Sequence, residues 1–190
     1  MKNLIAVCLT VALFACGAEK KKENKENTED KKVENTTVNN AEDQNNLLNE
    51  IAELEKAQFS IENQSKLAEK LSEFIQKFPN EPAKEGLMLK VVSAYQSLAE
   101  NAGSSKYYSK SVAYAQDALR EFPEHIDKKM LLIIKSSIED FDLKNDEAAI
   151  KSYQLLIDSY PNDTVGVANW KNRIENIDKT MEEIILMNQN

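Results

Sequence analysis

The sequence predicts an all-α protein of antiparallel helix hairpins stacked on one another, with about seven helices after a disordered tether. Three observations carry that prediction. The 190 residues include only four Gly and four Pro, against 29% charged and 42% hydrophobic residues. Turn-rich β folds need much more of that punctuation. Beyond Asn46 the apolar residues recur with the 3.6-residue period of a helix that buries one face. The same apolar stripe also returns when the chain is aligned on three of its prolines.

The chain begins with a segment that does not belong to a fold. Lys2 supplies a positive start, and Leu4 to Phe14 is an eleven-residue run without a charge. As a helix it would rise about 17 Å, too short for a ~30 Å hydrocarbon core. A secretory signal over residues 1–15 is the better reading. The run ends in Leu13-Phe14-Ala15-Cys16, followed by Gly17. This resembles the lipobox of bacterial lipoproteins, although Phe14 stands where that family has a small residue. An ordinary secretory signal with a chance cysteine is the alternative.

The resemblance implies that Cys16 receives a diacylglycerol on its sulfur, that the Ala15–Cys16 bond is cut, and that the new amine is acylated, with palmitate as the typical chain. Multiple acyl chains bury enough CH₂ groups, at ~0.8 kcal/mol each, to make such an anchor lasting. Gly17 is not the aspartate that retains lipoproteins in the inner membrane. The resemblance therefore implies the outer membrane, with the domain facing the periplasm. Cys8 and Cys16 are the two cysteines, so the domain beyond them has no thiol for disulfide or redox chemistry.

Residues 17–46 hold six Lys, eight Asp or Glu and seven Asn, with Ala18, Val33, Val38 and Ala41 as the apolar residues. Such a composition cannot offset ordering entropy, so residues 16–46 are expected to be a disordered polar tether. Some 30 residues of coil span roughly 30 Å on average and up to ~100 Å when stretched. Lys20-Lys21-Lys22 could touch anionic headgroups, but the glutamates around them favour a solvated spacer.

The helical domain is expected over 47–190. Leu47, Ile51 and Leu54 open it, and Leu67, Leu71, Phe74, Ile75 and Phe78 line one face of the next helix. Pro79 stops that helix and Pro82 suits the first turn of another, which reaches about Asn101 ahead of Gly103. Further helices are expected at 106–121, 125–142 and 146–159. A last one runs through Val165, Ile174, Ile177, Met181, Ile184 and Ile185. The run Met130 to Ile134 reads as helix buried from several sides.

The stripe before Pro79 returns before Pro161 as Ala149, Tyr153, Leu156, Ile157 and Tyr160. Before Pro123 the same offsets hold Ser111, Ala115, Ala118, Leu119 and Phe122, and each copy ends in aromatic-Pro. At proline spacings of 44 and 38 residues, the chain over about 60–180 resembles tetratricopeptide (TPR) repeats, helix–turn–helix units whose second helix ends before a proline. It is closest in style to the degenerate repeats of bacterial envelope lipoproteins, with Phe-Pro-Asn-Glu-Pro-Ala at 78–83 and Tyr95 beyond. The glycine usual in the first helix is missing. An ordinary antiparallel bundle is the alternative. A repeat stack needs closing helices: 46–58 is expected at the front, and 163–187 with Trp170 at the rear. The first helices of the pairs, 82–101, 125–142 and the start of the last, would line a concave binding surface.

Chemistry is sparse. His125, the single histidine, reads as a helix-start or loop residue rather than a metal ligand or base. No HExxH, GxSxG or glycine-rich phosphate loop is present. Glu139-Asp140 and Glu182-Glu183 read as solvated faces rather than acid/base pairs, since helix neighbours point apart. The charge of −8 disfavours nucleic acid. No catalytic, metal-binding or cofactor-binding residue is predicted. The resemblance implies a non-enzymatic, membrane-anchored module that holds a protein or peptide partner in the cell envelope, in a scaffold or assembly role, and touches the bilayer through its acyl anchor. The alternatives are a structural accessory subunit of an envelope complex and, less favoured, a wall-active hydrolase. Neither the partner-binding residues nor the oligomeric state can be read from the sequence.

Overall fold

A computed structural model describes residues 29–188, which hold eight α-helices and no strand. The leader 1–15, with Ala15 and Cys16 at its cleavage point, lies outside the described residues, as does the tether up to residue 28. The chain divides into two units, 1–38 and 39–190. Of the first, the described part is the helical backbone of residues 29–38. The second is the helical stack.

Helix α1 spans Glu29–Lys56, so it begins inside the stretch whose composition predicts a disordered tether to residue 46. Over 29–46 the described backbone is helical. Among residues whose burial is described, Leu47 is the first in the core and Ile51 the second, where the stripe predicts packing. Once that turn is anchored, helix grows backwards at one hydrogen bond per residue without a new nucleus. No Gly or Pro interrupts 29–46.

Helices α2 (Ile61–Lys77), α4 (Ser105–Glu121) and α6 (Asp146–Ser159) alternate with α3 (Ala83–Ala102), α5 (Lys128–Ser137) and α7 (Thr164–Glu175). From α2 to α7, each helix packs against the next in sequence, and α3 also meets α5. This is a repeat-like stack of hairpins. Its repeating element is the end of the even-numbered helices. Phe78, Phe122 and Tyr160 adopt nearly the same dihedrals, φ −123, −124 and −130 with ψ 63, 72 and 53. Each donates its N–H to the carbonyl four residues back, at Phe74, Ala118 and Leu156, at 2.9 Å in all three. A proline follows each cap, and the chain turns at once: Glu81, His125 and Asp163 donate to the carbonyls of Phe78, Phe122 and Tyr160.

The stripe positions fall where the alignment on prolines predicts. Leu71, Ala115 and Tyr153 are buried at one offset, and Phe74, Ala118 and Leu156 are fully buried at another. The alanines of the second copy have a packing reason. Together with Ser111, they bring α4 close enough to α3 for the Ser111 hydroxyl to donate to the Val92 carbonyl at 2.9 Å. Gly103 closes α3 in the left-handed region, φ 63, where a Cβ would be strained.

The apolar interior forms two clusters. The front one runs from α1 to α4 and includes Leu131; the rear one holds Leu132, Ala149, Tyr153, Leu156 and Trp170. Adjacent residues of α5 thus plug opposite cores. The Met130–Ile134 run is buried only in part, because Met130 is 49% exposed.

Two boundaries differ from prediction. The helix expected over 125–142 starts at Lys128 and passes at Ile138–Asp142 into a π-helical turn. The single rear helix expected over 163–187 is two, α7 and α8 (Met181–Asn188). Between them the Arg173 guanidinium takes the carbonyls of Ile177 and Lys179, and Thr180 restarts the helix. Its N–H and hydroxyl donate to Glu183, whose N–H donates back to Thr180 Oγ1, a reciprocal cap.

The close α3–α4 contact predicts that Ala118→Leu overpacks the core and destabilises the protein by about 1–3 kcal/mol. Ala113→Leu, on the exposed side of α4, should stay within ~0.5 kcal/mol of the parent. Urea denaturation of the two variants checks the difference.

Candidate functional site

The surface that the repeat resemblance singles out lies on the first helices of the pairs, α3, α5 and α7. Their opening turns are tied in sequence by two cross-links. His125 Nδ1 accepts the Asp127 N–H at 2.9 Å, which leaves Nε2–H to donate to the Glu85 carbonyl of α3 at 2.8 Å. The one histidine is therefore in the loop before α5, as expected. It is also 3% exposed and edge-on to Phe122, a burial that sequence reasoning did not find. Lys129 of α5 then pairs with Asp163 at 2.8 Å, and Asp163 caps α7 by accepting the Gly166 N–H at 3.0 Å. Lys90 of α3 reaches back to Glu55 of α1 at 2.6 Å.

Several side chains left outward at these helix starts are apolar. Ile126 is 91% exposed, Val165 is 71% exposed, and Met130 is half exposed. Counted from their prolines, Ile126 and Pro82 share one offset, and Met130, Gly86 and Ala168 another. Gly86 and Ala168 are also exposed. Gly86 has nothing within 4 Å of where a Cβ would stand, so no internal contact demands a glycine there. Gly166 is the opposite case, because a Cβ there would lie 2.7 Å from the Trp170 ring.

A concavity of about 730 Å³ lies between α2 and α4 with α3 beneath it. Sequence reasoning did not single out this side, although it had named Tyr95. Tyr95 forms part of the lining, stacked with Tyr114 and Tyr107 at 5.7 and 6.2 Å. Its hydroxyl meets Ser72 Oγ at 3.0 Å, and Lys110 sits over the ring at 4.8 Å. Lys84, buried in the same groove, is neutralised by Glu121. These groups are already partnered within the chain.

The carboxylates divide. Glu182 and Glu183 are exposed as expected, with Glu183 held below the usual carboxylate range by the Thr180 N–H and hydroxyl. Glu139 and Asp140 are the correction: each is 2% exposed. The π turn carries an extra residue per helical turn, which brings both neighbours to the inside. Glu139 accepts from Lys135 Nζ and Ser152 Oγ, both at 2.6 Å. Asp140 takes the Arg173 guanidinium through both oxygens, at 2.7 and 2.8 Å, and the Tyr153 hydroxyl at 2.9 Å. Burial, then that bond, pushes the Tyr153 phenol well above its usual range. Burial likewise pushes Tyr108 up to about 12, helped by its bond to Asp142. Among the described residues, no three His, Cys, Asp or Glu are grouped to hold a metal ion.

The Lys129 ammonium beside Asp163, and next the Gly166 N–H, hold that carboxyl below the ordinary aspartate value. A lowered folded-state value means a contribution present above the unfolded pKa and lost as pH falls through the folded one. The Gly166 amide shift, followed by NMR between about pH 2 and 6, should titrate below the ordinary aspartate midpoint. Lys129→Gln should move that midpoint upward. Compared with known proteins, the chain matches no family model and no curated protein.

Proposed function

We propose that the protein is a lipid-anchored bacterial envelope protein whose TPR-like stack holds a protein or peptide partner. In this reading residues 1–15 direct export, Cys16 carries the acyl chains, and the polar segment beyond it spaces the stack from the outer membrane, on its periplasmic side. The partner lies along the opening turns of α3, α5 and α7. The observation that carries the binding role is the exposure of Ile126, Met130 and Val165 on opening turns that His125 and Lys129 tie into one row. Apolar side chains left in solvent contribute nothing to the stack. Buried under a partner they are worth about 25 cal/mol per Å² of area removed from water, before the costs of association. The leader supports the anchoring role through Leu13-Phe14-Ala15-Cys16 at the end of its apolar run.

Two measurements test this separately. Cys16→Ser should block cleavage after Ala15 and release the protein from the membrane fraction. A variant that stays membrane-bound and normally cleaved refutes lipidation at that residue. For binding, in-cell cross-linking should capture a discrete partner, and Ile126→Ser with Met130→Ser should lose that adduct while thermal unfolding stays within a few degrees of the parent. Capture that is unchanged in the double variant moves the binding face elsewhere.

A further inference from the structure

The two ends of the stack are held by different physics. In the front half, α3 alone buries nine residues, eight of them apolar or aromatic, so attachment there is spread over many small contacts. At the rear, α7 buries two residues, Trp170 and Arg173, and α8 buries Ile184. Val167, Ile174 and Ile177 add partly buried apolar contacts, and Lys129 pairs with Asp163 at the start of α7, but the buried polar attachment passes through one side chain. The Arg173 guanidinium spends its donors on Asp140 (Nε at 2.8 Å, Nη2 at 2.7 Å) and on the Lys179 carbonyl (Nη1 at 3.1 Å), with Nη2 also reaching the Ile177 carbonyl. It also lies 4.8 Å over the Phe141 ring. One residue thus grips the π turn and the loop that places α8. Asp140 in turn is tied to α6 through Tyr153.

We propose that α7 and α8 form a latch on the stack, closed by the Asp140–Arg173 pair, and that they leave and rejoin it as one cooperative unit while α2 to α4 stay folded. A buried ion pair has a steep energy profile. It is favourable only in its closed geometry, and either charge left without the other in a low-dielectric site is strongly unfavourable. Such a contact does not loosen by degrees. When it separates, both charges must reach water, and Arg173 can do so only by carrying α7 and the 177–179 loop with it. The division of the interior into a front and a rear cluster, with Leu131 and Leu132 pointing into different ones, lets this happen without opening the larger core. The open state uncovers Tyr153, Leu156 and Leu132, the apolar surface on which Trp170 sits. This inference concerns the stack alone and does not depend on membrane anchoring or on the partner-binding face.

Native-state hydrogen exchange on the mature-length protein tests it. The amides of α7 and α8 should exchange through a shared opening, with protection ~100-fold or more below that of α2 to α4. Arg173→Met, which strands Asp140, should lower α7–α8 protection by a further ~100-fold and leave α2 to α4 unchanged. Asp140→Leu combined with Arg173→Met removes both charges and should recover at least about tenfold of that loss. Wild-type α7 and α8 amides that exchange only with α2 to α4 overturn the proposal, whatever the variants do. So does an Arg173→Met effect of equal size on every helix, or a double variant no better protected than the single one.

Discussion

The architecture rests on one way of ending a helix. At Phe78, Phe122 and Tyr160 the last N–H still bonds four residues back, and the next residue is a proline, which has no N–H to continue the ladder. The cap residue is pushed to φ near −125 and ψ near 60, outside the α region that a following proline disfavours. A single turn bond then launches the following helix. Because the same stop occurs three times with the same angles, each new helix leaves its predecessor in the same way. A helix hairpin has two apolar faces and can hide only one internally. A common exit geometry lets the second face meet the next hairpin, so one core can be shared along the chain.

That device was legible because it is local. Proline's missing donor, the aromatic before it and the 3.6-residue stripe can all be read from residues within a few positions of one another. Leu71, Phe74, Ala115, Ala118, Tyr153 and Leu156 are accordingly buried where the alignment on prolines places them. What escaped reading depends on particular side-chain contacts, some near in sequence and some far. Glu139 and Asp140 look like a solvated pair until a π turn rotates both inward to meet Lys135, Ser152, Tyr153 and Arg173. The break at 176–180 follows from a guanidinium six residues or fewer away claiming the loop's carbonyls, which no propensity records. His125 reads as a loop residue and is one, yet its burial comes from Glu85, forty positions earlier. Helix α1 differs the other way: composition argues for disorder, yet helix runs back from the anchored turn at Leu47 through residues 40–46, none of which is fully buried.

The contrast between the ends also explains why the rear needed charge. Trp170 is the single large apolar side chain that α7 buries, and the π turn has already placed two carboxylates inside. Those carboxylates must be satisfied or the segment cannot stay folded. Lys135 and Ser152 answer Glu139 from α5 and α6, whereas Arg173 answers Asp140 from α7. The ion pair is thus less an added source of stability than the condition on which α7 can dock at all. A buried pair of this kind is a poor contributor to net stability and a strict enforcer of geometry.

The same logic separates where the hairpins must agree from where they are free to differ. At the aromatic caps and the two buried offsets, every copy meets the same steric demand, and the residues vary chiefly in size: Leu, Ala and Tyr at one offset, Phe, Ala and Leu at the other. On the opening turns of α3, α5 and α7 the outward positions carry no such demand. There the copies diverge to Pro82 and Gly86, Ile126 and Met130, Thr164 and Ala168. Glycine in a helix costs up to ~1 kcal/mol against alanine, and Gly86 has open space where a Cβ would fit, so the stack gains nothing from it. Ile126 gains nothing from being almost wholly exposed. Residues whose choice folding leaves undetermined therefore lie together on the row that His125 and Lys129 hold in register, and the identity of each copy is written there rather than in the shared caps.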